Sequence, residues 1–440
     1  GAFGIGPDGT LFLGGDNSAN KFVQYSTDDA ATWSGGATSL TGVTGSNFGF
    51  AGASSPYTVY FAKGYATYTN GSGFGSWNEF GNSGFDTHPN DGAVFVDPNN
   101  PSIVYLTTDQ GIGATKNGGS IIFEIDNGVD AVQVNDFSMN SGKDKAWLAS
   151  KAGVRKVTNF SSSPTWTLAM FPNGDGSPYY SVEMENDNDA TAYVGNVRVY
   201  KTTDSGSNWS QILNESTTGY PSVGTRAEAI EVYPTNSNLV LAGFYVDGTT
   251  QGGLWYSTNA GSTWSQLQLR SGSTLPNDVD VYDIAFTTEG GNPVAYIGVY
   301  YDLNISSPSE RGYSIYRAEW NGSSWTTRQD MQAAYTSTGT VIVVTIIDLE
   351  VTSSGTKIYA CGTDAGTNHP VAYYKDLSGT NLWTPVPVSG FPTGNEEGKA
   401  IANGGGYTYC AVNNVVYILA DGGSSWSVGY TYPVGTEINV

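Results

Sequence analysis

The chain has little of what would mark several common protein classes. Two cysteines, Cys361 and Cys410, leave the redox compartment undecided, and two histidines, His88 and His369, lie with them in four different repeats, which gives zinc little support. Only 18 Lys and Arg stand against 40 Asp and Glu, and the net charge of −22 repels nucleic acid and anionic lipid. No apolar run approaches the roughly 18 residues of a membrane span. The most apolar stretch, Val341 to Ile347, has the length of a buried strand. There is no heptad pattern and no linker rich in proline, serine or charge, which argues for one domain over 1–440.

What is abundant is glycine, 58 residues in 440, with aromatics at 13%, a composition that reads as all-β with many turns. Tryptophan recurs at Trp33, Trp77, Trp166, Trp209, Trp264, Trp325, Trp383 and Trp426, and Ile122-Phe123 fills the one gap. Steps of 43 to 61 residues mark one supersecondary unit repeated along the chain.

Many of these tryptophans follow a polar turn with small residues at fixed offsets. Ser26-Thr27-Asp28-Asp29-Ala30-Ala31-Thr32-Trp33 matches Thr202-Thr203-Asp204-Ser205-Gly206-Ser207-Asn208-Trp209 and Ser257-Thr258-Asn259-Ala260-Gly261-Ser262-Thr263-Trp264. Asp or Asn bonds backbone groups further along its own turn and glycine supplies a positive φ, so each segment is predicted to be a self-bonded hairpin turn with its Trp packed beneath. The frame recurs, worn, at Leu419 to Trp426, with Asp421, and at Ala318 to Trp325; Thr115-Lys116-Asn117-Gly118-Gly119 keeps the turn without the Trp. The pattern resembles the Asp box (BNR repeat) of sialidase-like, xyloglucanase-like and sortilin-like β-propellers, where such turns are structural and lie away from the chemistry. Phe85 to Gly119, with His88, Asp97-Pro98-Asn99-Asn100-Pro101 and Asp109-Gln110-Gly111, resembles one blade of the same superfamily closely. His88 is read as a hydrogen-bonded turn residue.

Upstream of each Trp lie three short alternating runs, so one unit makes a four-stranded blade. Nine units begin near residues 1, 43, 82, 130, 177, 224, 278, 341 and 395, which predicts a single β-propeller of about nine blades, with eight or ten left open. The step from Trp426 across the termini to Trp33 is 47 residues, the value a closed ring would give.

Sialidase resemblance would imply an Arg-Ile-Pro motif and three clustered arginines; the chain has no Arg-Ile-Pro, so that activity is not expected. A hydrolase of neutral glycans, or a polysaccharide lyase, needs fewer groups, a hydrolase typically two carboxylates. The first strands and their flanks carry Asp136, Glu183 and Glu185, Glu228 and Glu231, Asp280 and Asp283, Asp348 and Glu350, and Glu397. Of these, Glu183, Glu228, Asp283, Asp348 and Glu350 are the catalytic candidates, against a plainer reading in which they line a solvated channel. Tyr179, Tyr180 and Arg226 are the positions best equipped to grip a sugar. Tyr245, Tyr300 and Tyr301 lie in the longest aromatic loops, next to an insertion at Ser307 to Arg311. Asp187 and Asp189, and Asp278 with Asp280, are oxygen-rich candidates for Ca²⁺, but neither loop has an EF-hand frame, so no cofactor is assigned.

The two cysteines fall in second strands of the last two units and are expected to be buried thiols rather than a bridge. Secretion or cell-surface display is expected from the Thr/Ser/Asn/Tyr-rich, Lys-poor composition, the N-terminal Gly and the resemblance to exported propellers. The expected function is non-catalytic binding or adhesion through one face, to a glycan or a surface protein. A channel enzyme and a structural module of a surface assembly are the alternatives.

Overall fold

The polar turns fold as their residue types dictate. In a computed structural model of the chain, which describes residues 2–16, 21–41, 47–81, 93–108, 111–125, 134–248, 252–269, 279–300, 313–332, 334–335, 341–342, 344–352, 354–364, 367–378, 382–386, 389–394, 396–432 and 438, the Asp28 carboxylate accepts from Ser26 Oγ (2.8 Å), Thr32 N (2.9 Å) and Thr32 Oγ1 (2.6 Å). Asp204 repeats the set with Thr202 and Asn208, and Asn259 with Ser257 and Thr263. Asn117 keeps it with Thr115 and Ile121 although no Trp follows. Gly206 sits at φ +85°, and a Cβ there would also come within 2.4 Å of Met170 Sδ, so the position requires glycine twice over.

Among the described residues nine antiparallel sheets of four strands or more have their strands in chain order, and a separate two-stranded ladder pairs Ala334–Tyr335 with Val341–Ile342. The first is Ala2–Ile5, Leu11–Asp16, Lys21–Ser26 and Ser34–Ala37; the second Phe48–Ala51, Tyr57–Phe61, Gly64–Thr69 and Gly73–Phe74, with Asn78–Glu79 also on its third strand; the third Val94–Val96, Val104–Thr108, Gly111–Thr115 and Phe123–Glu124. The fourth is Val134–Met139, Lys145–Ser150, Gly153–Thr158 and Thr165–Trp166; the fifth Ser181–Glu185, Asn188–Gly195, Val199–Thr202 and Ser210–Leu213; the sixth Thr225–Val232, Val240–Val246, Gly253–Ser257 and Ser265–Leu267. The seventh is Val281–Glu289, Asn292–Val299, Tyr313–Trp320 and Trp325–Gln332; the eighth Val344–Val351, Lys357–Asp364, His369–Asp376 and Thr384–Pro385; the ninth Gly398–Gly404, Tyr407–Val412, Val415–Ala420 and Ser427–Thr431. Nine successive four-stranded blades make this an all-β propeller fold. No helix of the described residues is long and apolar enough to cross a membrane.

The backbone groups into two compact units, one holding sheets one to three and the other sheets four to nine. Within each, neighbouring sheets bury their faces against one another, and six of the recurrent Trp residues are the wedges; Trp33 joins no core cluster among the described residues and Trp166 is exposed, so those two do not pack as expected. Trp209 packs with Trp147 and Val182 between sheets four and five, its ring edge-on to Trp147 at 5.9 Å. Trp264, Trp325, Trp383 and Trp426 do the same one sheet further on in turn. In the first unit Trp77 joins the core of sheets one and two, and Ile122 takes the Trp place between sheets two and three. The frame at Asp421 keeps the buried Trp426, but among the described residues its carboxylate holds no hydrogen bond.

In the second unit the first strand of each sheet lies beside the first strand of the next, from sheet four through sheet nine. The second strand of sheet six also comes close to the first strand of sheet seven: a Cβ on Gly243 would sit 2.3 Å from Val281 Cγ1. Cys361 and Cys410 lie in the second strands of sheets eight and nine and are buried free thiols.

Candidate functional site

A β-bulge recurs in the first strands of sheets four, six, seven, eight and nine, and the residue just after it is Asp136, Ala229, Asp283, Asp348 or Ala400. The three aspartates use that position to grip the backbone of the sheet ahead or its own strand. Asp136 Oδ2 accepts from Val182 N (2.7 Å), Asp283 Oδ2 from Leu349 N (2.7 Å), and Asp348 Oδ2 from Ile401 N (2.5 Å). Asp136 Oδ1 and Asp348 Oδ1 accept from Phe137 N (2.6 Å) and Leu349 N (2.9 Å). Glu183 takes part through a relay, accepting from Ser138 Oγ (2.8 Å), which accepts from Met184 N (2.9 Å). These carboxylates therefore staple consecutive first strands, a role different from open solvation of a channel.

They also face one another. Burial pushes Asp136 up to about 7, Glu183 to about 8 and Glu350 to about 7, and drives Glu231, Asp283 and Asp348 upward as well. Like charge adds to this: Glu231 is raised further by Glu183, Asp283, Asp136 and Glu350, and Asp136 by Asp348. The first strands of sheets four to eight thus share one acidic interior in which several carboxyls keep their protons near neutral pH. Among the described residues no group of three or more His, Cys, Asp or Glu is placed to hold a metal ion. Asp187 accepts from Ser141 N and Oγ (both 2.6 Å), and Asp189 is paired with Lys145 (2.9 Å) and Lys156 (2.6 Å). Asp280 Oδ1 accepts from Val246 N (3.0 Å) and Gly252 N (2.7 Å), and Asp278 lies outside the described residues.

A second constellation gathers where the first strands of sheets five to seven begin. The Arg226 guanidinium lies 5.4 Å from the Tyr180 ring and 5.4 Å from the Tyr245 ring, a cation between two aromatic faces. Its ion pairs with Glu228 and Asp247 are both 3.6 Å, looser than the 2.7 and 2.8 Å contacts of Arg317 with Glu289 and Glu319. Arg198 grips Glu215 on the short helix Glu215–Thr218. The Tyr245 ring is 5.6 Å from that of Tyr282, and Tyr282 feels Glu228, Asp280 and Tyr300. Burial lifts Glu228 to about 7, against the pull of Arg226. Tyr300 is 45% exposed, so the cluster runs from the interior to solvent. Beneath it, the fully buried Asn196 accepts Ala227 N on its carbonyl oxygen (2.6 Å) and Arg198 N on Oδ1 (2.7 Å), and its Nδ2 has no partner among the described residues.

Of the residues expected to bind ligand, Tyr180, Arg226, Tyr245 and Tyr300 come together here, and Tyr301 lies outside the described residues, as do His88 and the 307–311 insertion. Tyr179 does not join them: it is fully buried in the core between sheets four and five, one residue and one strand face away from Tyr180. Tyr282 and Asp247 were not singled out by the sequence, and Asp280, expected as a candidate for Ca²⁺, instead accepts backbone N–H groups beside the cluster. Tyr282 had a signal, because Tyr180, Glu228 and Tyr282 each immediately precede the residue opposite Gly195, Gly243 and Gly298 of the second strands.

No family model matches the chain, and no curated protein matches it. Solved structures similar to it include YCF48 bound to a D1 peptide, 14% identical over 70% of this chain and 85% of that one, TM-score 0.42. YCF48 from Cyanidioschyzon merolae is 15% identical over 69% and 86%, TM-score 0.41. An ancestral GH74 enzyme is 17% identical over 84% of this chain and 52% of its own length, TM-score 0.40.

Proposed function

We propose that this chain is a secreted or cell-surface binding propeller of the Asp-box kind, without catalytic activity, and that it takes a glycan or a partner protein on the face where sheets five to seven begin. The observation that carries this reading is Arg226, held between the Tyr180 and Tyr245 rings with only loose ion pairs. A guanidinium so placed is fixed in position yet able to exchange its carboxylate partners for ligand acceptors, while the tyrosine faces offer flat apolar area and hydroxyls. Against the enzyme alternative stands the use already made of the acids: Asp136, Asp283 and Asp348 spend their oxygens on backbone N–H groups.

A glycan array and a surface-protein capture assay, run on the wild-type chain and on Arg226→Ala, test the reading. Binding that falls at least tenfold in Arg226→Ala supports it. Binding that is unchanged in that variant removes the face from consideration.

A further inference from the structure

The first unit carries a separate cavity of about 420 Å³ between sheets two and three, within the range of about 300–1,000 Å³ that small-ligand pockets occupy. Its walls come from the second sheet and from two turns of the third, around Pro101-Ser102 and Asn117-Gly118. Hydrogen bonds hold those turns in place. Asp97 Oδ1 accepts from Asn99 N (2.8 Å) and Asn100 N (3.1 Å), and Asn100 Oδ1 accepts from Ser102 N (3.1 Å). Gly118 N donates to Ser102 O (2.9 Å), locking one turn to the other, and Tyr60 Oη donates to Gly118 O (3.1 Å), locking both to the second sheet.

With the main chain thus satisfied, the side chains facing the space have bonding capacity to spare. The Thr58, Ser102 and Tyr65 hydroxyls and the Asn117 Nδ2 group have no hydrogen-bond partner among the described residues. The Tyr65 ring stands 5.8 Å from that of Tyr60 and supplies a flat wall. None of the nine described residues lining the cavity is charged, in a chain of net charge −22. Uncharged donors and acceptors around an aromatic face repay a neutral, hydroxyl-bearing ring and offer nothing to an ion. We infer that this cavity is a binding site for a neutral pyranose unit, distinct from the Arg226 face.

The test is saturation-transfer NMR of the full chain with methyl β-glucopyranoside and methyl α-mannopyranoside at millimolar concentration, with thermal melts to verify folding. Thr58→Val removes one hydroxyl at constant shape, and Ser102→Tyr fills the cavity from an exposed residue that bonds to its neighbours through its own main-chain N and O. The expected result is transfer to at least one probe, weakened about 3- to 10-fold by Thr58→Val and abolished by Ser102→Tyr. Transfer to neither probe, or transfer unchanged in the folded Ser102→Tyr variant, overturns the inference.

Discussion

Replacing Asp348 by alanine separates the stapling role of the interior acids from a catalytic one. One backbone donor, Ile401 N at 2.5 Å, loses its acceptor at a buried position, while Leu349 N gives up its 2.9 Å bond to Asp348 but keeps Asp283 Oδ2 at 2.7 Å. A buried donor left unsatisfied costs about 1–3 kcal/mol and the lost hydrogen bond between the Asp283 and Asp348 carboxyls about 1 kcal/mol, so the net loss is about 2–4 kcal/mol. With an unfolding entropy of about 2 cal/mol/K per residue, the melting temperature moves by about 1–2 °C per kcal/mol, depending on whether the whole chain or the larger unit melts together. The variant is therefore expected to melt about 2–8 °C below wild type in calorimetry. Glu350→Gln, two residues along the same strand, is the control: no backbone bond to its carboxylate is present among the described residues, and it is expected to melt within about 1 °C of wild type. An Asp348→Ala variant that melts with wild type would refute the stapling account.

Stability should fall as pH rises. Glu183, Asp136 and Glu350 hold their protons to about 8, 7 and 7 in the folded chain and to the ordinary carboxylate range when unfolded. The folded state then binds more protons between about pH 4 and 8, so denaturant midpoints are expected to decline across that window and to decline less in Glu183→Gln; a midpoint that rises from pH 5 to 8 contradicts this. Lys375, 1% exposed, donates to Asp330 at 2.6 Å, and the Trp383 indole donates to the same oxygen at 2.9 Å. Asp330→Ala strands that ammonium and is expected to cost about 3–5 kcal/mol in urea unfolding. Asn259→Ala removes the turn bonds to Ser257 and Thr263 and should cost about 1 kcal/mol by the same measurement. Burial and the neighbouring Cys410 raise the Cys361 thiol, so neither cysteine should react with a thiol reagent until the chain is unfolded.

The turns and the blade count were legible because they rest on local chemistry. Asp28, Asp204 and Asn259 bond within their own eight-residue segments, and Trp209 and Trp264 after the latter two mark the face buried against the preceding sheet. The direction of an inner-strand carboxylate was not legible in that way. Alternation assigns Asp283 and Asp348 to a first strand, but a bulge just before each shifts its register and turns the oxygens onto backbone N–H groups. Tyr179 and Tyr180 show the same limit at one-residue scale: just ahead of the strand Ser181–Glu185 the first turns into the core and the second lies beside Arg226, and sequence alone gave the pair no order. The trace that did exist was the Asp-apolar pair repeated at Asp136-Phe137, Asp283-Ile284 and Asp348-Leu349, which reads as structural once the sheets are placed side by side.

The most direct test of the account is a paired binding and turnover measurement on one preparation of the full chain, across a panel of neutral and acidic polysaccharides. The account predicts saturable binding that Arg226→Ala weakens at least tenfold, with no product released. Product release that Glu183→Gln or Asp283→Asn abolishes in a folded variant would contradict it and assign the interior carboxylates to catalysis.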